Sequence, residues 1–321
     1  MKFVYSAGFF VYAYDKGTRK FFFLIREEGS LDFPKGMIEK GESAEAAAER
    51  EAFEEAGIRL KKIPYFKTSY AFIKTENKEL VKKHVTMFLS RIDFDTKITI
   101  SFEHKGYTWL SFEEAKKKIY KDEVEAFSAA NDYIDRLEAM ENLNARYSSI
   151  YLNRKDWMLS KKFVAGEGPL NAKFMFVGQA PGRKEDEQGR PFVGASGMLL
   201  DSLLRIARIE REKVYITSVV QFFPPKNRPL TVAEIEECMP FLKQQIRIIK
   251  PKLIVLLGAV ATKALLGPKE KITELHGKVI EKGGISYFIT LHPAYAVRLK
   301  KNEEVIKNDF RTLRELKKLF E

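Results

Sequence analysis

Between Gly36 and Ile58 the chain reads G-x5-E-x7-R-E-A-x-E-E-x-G-I, with Gly36, Glu42, Arg50, Glu51, Glu54, Glu55 and Gly57 in fixed register. Ser43 is a good N-cap residue, Ala44–Ala56 is built of helix formers, and Gly57 is the residue type that ends a helix. The spacing predicts one helix between two glycine turns. Glu51, Glu54 and Glu55 then sit at i, i+3 and i+4 and project from one face, with Arg50 beside them. Three like charges so placed repel and cost the helix stability. A hard divalent cation suits that arrangement, because Mg2+ takes oxygen ligands, keeps several waters and completes its shell with substrate phosphates.

This run resembles the Nudix box, with every invariant position filled and Ala52 where a larger aliphatic residue is more usual. The resemblance implies a pyrophosphohydrolase acting on a nucleoside diphosphate linked to another group and requiring Mg2+ or Mn2+. It assigns Glu51, Glu54, Glu55 and Gly36 to the metal, and Arg50 and Lys35 to the substrate phosphates. The flanking segments Leu31–Gly36 and Phe102–Leu110 resemble the asymmetrical diadenosine-tetraphosphate hydrolase branch, which carries a Pro-Lys-Gly approach and a Glu-His…Tyr-x-Trp segment. In that likeness Lys35 acts as a point charge and Glu103 as a further metal ligand or base. Tyr107 and Trp109 alternate with Thr108 on an expected strand and serve equally well as core aromatics. Met87 stands where the branch often has an aromatic residue to stack a base.

At 321 residues, 45% hydrophobic and 31% charged, the chain has room for two domains with a core each. No apolar run reaches membrane-spanning length, and Met1–Tyr14 lacks the order of a signal peptide. The single cysteine, Cys238, excludes an intramolecular disulfide, so the expected compartment is the cytoplasm. Residues 1–150 hold 25 basic and 25 acidic residues, whereas 151–321 hold 31 and 19, so the whole excess of +12 lies in the second half. A neutral first half suits a hydrolase of small nucleotides. A basic second half suits a partner with phosphates in series, such as DNA.

Short β-rich stretches surround the first helix, and helical patterns follow at 111–120 and 122–139; regularity then fades between Glu141 and Lys162. Domains are therefore expected at 1–140 and 163–321, with 141–162 as a linker. The second half alternates apolar strands with amphipathic helices, which argues a three-layer α/β/α domain around a parallel sheet. The first half, through its resemblance, is expected to be an α/β/α sandwich with a mixed sheet, making the chain α/β throughout.

In an open parallel sheet, ligands bind beyond the carboxyl ends of the strands. Three expected strand ends lead into Gly178-Gln179-Ala180-Pro181-Gly182, into Ser218, and into Leu291-His292-Pro293-Ala294; Glu185-Asp186 and Gly189-Arg190-Pro191-Phe192-Val193-Gly194 follow the first. This set resembles uracil-DNA glycosylase of the family-4 type over nearly all of 163–321. The resemblance implies a flipped base held by Gln179, Ala180, Phe192, Ser218 and His292. His292 would bond uracil O2 as the leaving group gains charge, and Glu185 would position water. Arg190, Tyr295, Arg298, Lys300 and Lys301 would grip the duplex. The family has Glu at Gln179 and Asn at Ser218. It also ligates a four-iron, four-sulfur cluster through cysteines at positions that fall on Tyr151, Arg154, Phe222 and Cys238, of which one remains, so no cluster is expected. Two rival readings are a DNA-binding module whose catalysis has ended, and a dinucleoside polyphosphate hydrolase merely localised by its basic half.

Overall fold

The computed structural model describes residues 1–76, 78–152, 159–160 and 162–320, with backbone alone for Leu152, Arg298 and Lys301. It divides into two compact units, Met1–Asp135 and Arg136–Glu321. Among the described residues no helix is long and apolar enough to cross a membrane.

In the first unit, β1 (Lys2–Asp15) and β2 (Thr18–Ile25) are followed by the short β3 (Leu31–Asp32) and β4 (Lys35–Met37), helix α1 (Ala44–Ala56), β5 (Thr68–Glu76), β6 (Glu79–Arg91), β7 (Gly106–Leu110) and α2 (Phe112–Lys116). The sheet order is β3-β2-β1-β6-β5, with β4 also on β1 and β7 on β2. It is mixed, because β1 and β6 run parallel while the other pairs are antiparallel. Ala47, Ala48, Ala52 and Ala56 are buried against Ala7, Phe9 and Val11 on one face. The small side chain at Ala52 thus sits at the helix–sheet contact. On the opposite face Phe127 of α3 (Val124–Leu152) meets Phe10, Phe21, Phe23 and Phe33, with ring centroids 4.7–5.9 Å away. Two helices thus cover a mixed sheet, which is the sandwich expected.

The second unit is built on β8 (Phe174–Gly178), α4 (Arg183–Gln188), α5 (Ala195–Ile206), β9 (Val214–Ser218), α6 (Val232–Ile249), β10 (Leu253–Leu257), α7 (Ala259–Leu266), α8 (Ile272–Leu275), β11 (Val279–Lys282), β12 (Ile285–Thr290), α9 (Pro293–Arg298) and α10 (Glu303–Leu316). Its sheet order is β11-β12-β10-β8-β9. Four strands are parallel, and their ends at Gly178, Ser218, Leu257 and Thr290 lie along one edge. The fifth, β11, is antiparallel and joins β12 through Gly283 and Gly284, both at positive φ, as a two-residue hairpin turn requires.

The expected linker is corrected by the structure. Residues 141–152 continue α3, because Met140, Leu143, Tyr147 and Tyr151 recur at helical spacing and are all buried. Tyr147 stacks on Phe241 at 3.8 Å and meets Phe222 edge-on at 5.5 Å; Tyr151 and Phe163 each lie 5.6 Å from Phe222. Buried aromatic clusters of this kind carry large apolar area. Phe222→Ala should therefore cost about 3–5 kcal/mol, read from the denaturant midpoint of the second unit's transition. A loss below about 1 kcal/mol would show that the cluster does not support this unit.

Candidate active sites

The first site grows from α1. Ser43 caps it by accepting from the Ala46 N–H, and Gly57 closes it at φ +69°. Arg50, assigned by resemblance to substrate phosphate, has every guanidinium hydrogen engaged within the protein. It donates to Glu42 at 3.0 and 3.1 Å, Glu51 at 2.8 Å, Glu54 at 3.1 Å and the Met37 carbonyl at 2.9 Å. In this structure it gathers the carboxylates instead of presenting charge to a ligand. Lys35 departs from expectation in the same way: its side chain is buried and its ammonium pairs with Asp32, which also takes Arg26.

Glu55 is buried against the strand, accepting from the Lys35 backbone N–H at 3.0 Å. Burial pushes its carboxyl up to about 8, with Asp32 and Glu51 adding to the effect. Glu51 lies against Gly36, where a Cβ would fall 2.0 Å from its carboxyl carbon, so only glycine leaves room. Among the described residues no three acidic, histidine or cysteine side chains already converge as a metal site. The donor set nevertheless fits a hard divalent cation: hard oxygen donors, a glycine cradle, and a buried carboxyl short of positive charge.

Around this site, Ser101 N–H bonds the Glu55 carbonyl at 3.0 Å and brings the loop carrying exposed Glu103 alongside. Trp109 packs on Phe22 and Phe94 and belongs to the core margin, whereas Tyr107 is 44% exposed. Met87 is fully buried. Sequence reasoning missed the buried Tyr70–Glu123 bond (3.0 Å) and the Asp32 pairings, because these partners come from separate strands and a short turn of helix.

The second site gathers the parallel strand ends. Ala180, Glu185, Phe192, Thr217, Ser218 and His292 line one cleft. The rings of Phe192 and His292 lie 5.9 Å apart and 27° from parallel. Three glycines permit this: a Cβ on Gly178 would meet the Phe192 ring at 2.6 Å, one on Gly197 the Phe192 carbonyl at 1.9 Å, and one on Gly258 the His292 Cβ at 2.7 Å. Phe192 itself holds φ +53°, a conformation that costs a non-glycine residue energy and concentrates at functional sites. Arg211 helps to hold it, donating to the Pro191 carbonyl at 3.0 Å.

His292 caps α9, and its Nδ1 accepts from the Ala294 N–H at 3.1 Å. A neutral ring must then carry its proton on Nε2, which makes that atom a donor. Glu185 is buried, and three backbone N–H groups bind its carboxylate: Gly182 at 3.1 Å, Val193 at 2.9 Å and Gly194 at 2.7 Å. Its carboxylate thus ties two loops together while Glu185 also lines the cleft. Ser218 is buried at the end of β9, and the Gln179 carbonyl accepts from Val220 N–H. Thr217 and Ser196 add hydroxyls to the cleft that sequence reasoning did not assign.

Of the residues expected to grip DNA, Tyr295 and Lys300 are exposed. Arg190 is engaged by Glu167 in a two-pronged pair at 2.6 and 2.9 Å, and the side chains of Arg298 and Lys301 lie outside those described. Of the four positions at which the resemblance implies cluster cysteines, Arg154 lies outside the described residues. Tyr151 and Phe222 pack ring to ring, and Cys238 is buried beside Tyr147. One thiol among aromatic rings cannot hold a cluster that requires four.

Residues 165–314 match the model of the uracil DNA glycosylase superfamily, and 4–129 that of the NUDIX domain. The type-4 uracil-DNA glycosylase of Thermotoga maritima is 43% identical over 175 residues, covering 52% of this chain and 88% of that protein. That of Sulfurisphaera tokodaii is 42% identical over 171 residues, covering 50% and 78%. An Ap4A hydrolase of C. elegans, solved as a binary complex, overlays 39% of this chain and 93% of its own, at 24% identity and a TM-score of 0.35. Through its second unit the chain belongs to the type-4 uracil-DNA glycosylase family, and residues 4–129 are a Nudix domain; both are enzyme families.

If Glu185 is a clamp, Glu185→Gln replaces a charged acceptor of three N–H groups by a weaker one and should cost about 2–3 kcal/mol of stability. An unchanged melting transition would show that Glu185 does not tie the two loops together. Burial pushes the Cys238 thiol up to about 12, so at pH 8 roughly one in ten thousand is thiolate, the reactive form. Cys238 should react with a thiol reagent only after denaturation; rapid labelling of native protein would contradict its packing.

Proposed function

We propose that the chain joins two hydrolytic activities directed at unwanted nucleotides: a Mg2+- or Mn2+-dependent cleavage of nucleoside diphosphate-linked substrates, and excision of uracil, with other deaminated bases, from DNA. The observation that carries the second activity is the meeting of Phe192 and His292 across one cleft with the His292 tautomer set by Ala294. An extruded base would lie against Phe192. As the glycosidic bond breaks, negative charge develops on uracil, and the Nε2–H of His292 would bond O2 where that charge forms. Ala180 stands where other uracil glycosylases carry a water-activating Asp, so the rate would rest on leaving-group stabilisation.

In the first site Glu51, Glu54 and Glu55, with the Gly36 carbonyl, would hold the cation. When bound, the cation supplies positive charge against the charge that builds on the pyrophosphate. Arg50 keeps Glu42, Glu51 and Glu54 in one array, and buried Glu55 gains the most from that positive charge.

Each activity should fall separately. Glu54→Gln or Glu55→Gln should lower metal-dependent nucleotide hydrolysis by at least about a hundredfold and leave excision intact. His292→Ala should lower excision by about a hundredfold or more, as loss of an oxyanion donor does, with DNA affinity within a few fold because phosphate contacts dominate it. Excision is read as strand cleavage after alkali on a uracil-containing oligonucleotide. Steeply salt-dependent DNA binding without release of uracil or hypoxanthine would favour the binding-module reading, and hydrolysis unaffected by both glutamine variants would remove the metal assignment.

A further inference from the structure

His292 sits two residues beyond the end of β12, and the last residue of that strand, Thr290, is fully buried. Its hydroxyl donates to Oδ2 of Asp309 at 2.7 Å, across 19 residues of sequence. Asp309 belongs to α10, is 4% exposed, and has its other oxygen 3.0 Å from Nδ1 of His276. The turn bearing His276 is stitched to the same strand, since Gly277 N–H donates to the Ile289 carbonyl at 2.8 Å and Ile289 N–H to Lys278 at 3.1 Å. Gly277 holds φ +76°, and a Cβ there would come within 3.0 Å of Asp309. The Thr290 carbonyl accepts from Gly258 N–H at 2.9 Å, and Gly258 is the glycine whose missing side chain makes room for His292.

A buried carboxyl group is costly unless its oxygens are bonded, and here both are bonded to the segments that frame His292. The hydroxyl bond fixes the end of β12, the carbonyl bond fixes Gly258 against it, and His292 hangs between the two. We propose that Asp309 is a positioning residue for His292, acting through the Thr290 hydroxyl to hold the imidazole where the leaving base would be bonded. This rests on the reading of His292 as the leaving-group donor. The contribution is geometric: an error of about 1 Å in a positioned group can cost a hundredfold in rate.

The test uses the full chain with Thr290→Val, which keeps the shape and removes the hydroxyl, and Asp309→Ala, with Thr290→Ser and Asp309→Asn as conservative counterparts. Single-turnover excision should fall tenfold or more in Thr290→Val and Asp309→Ala at unchanged KM, and return to within about threefold of wild type in the Ser and Asn variants. Nitrogen-15 spectra of the histidine rings give a readout independent of activity: wild type should show His292 protonated at Nε2, and Thr290→Val should shift those resonances and speed exchange of the Ala294 amide. Thr290→Val carries the test if Asp309→Ala does not fold. Unchanged His292 resonances and Ala294 exchange in Thr290→Val overturn the proposal, as does full excision at a lowered melting temperature. Wild-type protein that excises nothing defeats the functional reading alone, and the ring spectra then decide the positioning of His292.

Discussion

Glu185 accepts hydrogen bonds from the backbone of two loops at once, the one that follows β8 and the one that leads into α5. That shared acceptor fixes the second loop against the first, and together with Arg211 it holds the segment in which Phe192 keeps a left-handed backbone. The same device appears in smaller form in the first unit, where Glu55 takes the Lys35 N–H and ties α1 to β4. In both units an acidic side chain spends its acceptor capacity on backbone amides, and those amides then set where the neighbouring reactive groups stand. Such hydrogen bonds have defined direction, which suits them to this task better than apolar contact alone.

The second unit is packed with aromatic rings where the family resemblance implies cluster cysteines. A cluster cross-links its ligand segments by covalent bonds, whereas here Tyr147, Tyr151, Phe163, Phe222 and Phe241 join the end of α3, α6 and the loop beyond β9 by packing. Cys238 lies within that packing with a thiol too buried to ionise readily. Such packing consists of many weak contacts whose strength scales with buried area.

Much of this was legible in the sequence where local chemistry decides the structure. The Gly36–Ile58 helix was bounded by its own cap and glycine, and the strand ends carrying Gly178, Ser218 and His292 were visible because apolar runs stop at Gly, Ser and His-Pro. What was not legible depended on partners distant in sequence. Lys35 and Arg190 read as available cations, yet Asp32 and Glu167 neutralise them in the folded chain. The stretch from 141 to 152 read as irregular because two of its three buried positions, Leu143, Tyr147 and Tyr151, are tyrosines set among polar residues, although their spacing is helical. The bonding of Glu185 was not legible because nothing local announces that three amides will surround it.

The charge asymmetry between the halves takes on a different meaning once those pairings are counted. Arg190, Arg211 and Arg228 each meet an acidic side chain in the second unit, so part of its basic composition stabilises loops and is not offered to a partner. The charge that stays near solvent includes Lys300, which follows α9, the helix that His292 caps. A phosphate backbone drawn to that region would pass close to the cleft holding Phe192 and His292, and attraction there is long-ranged at low salt and short-ranged at about 0.15 M, where the Debye length is about 8 Å. On the proposed reading, affinity for the duplex and recognition of the base would be carried by different atoms. A hydroxyl at Ser218, where the resemblance implies an amide, would then shorten the reach to the base edge and alter which bases fit, while leaving electrostatic attraction as it was.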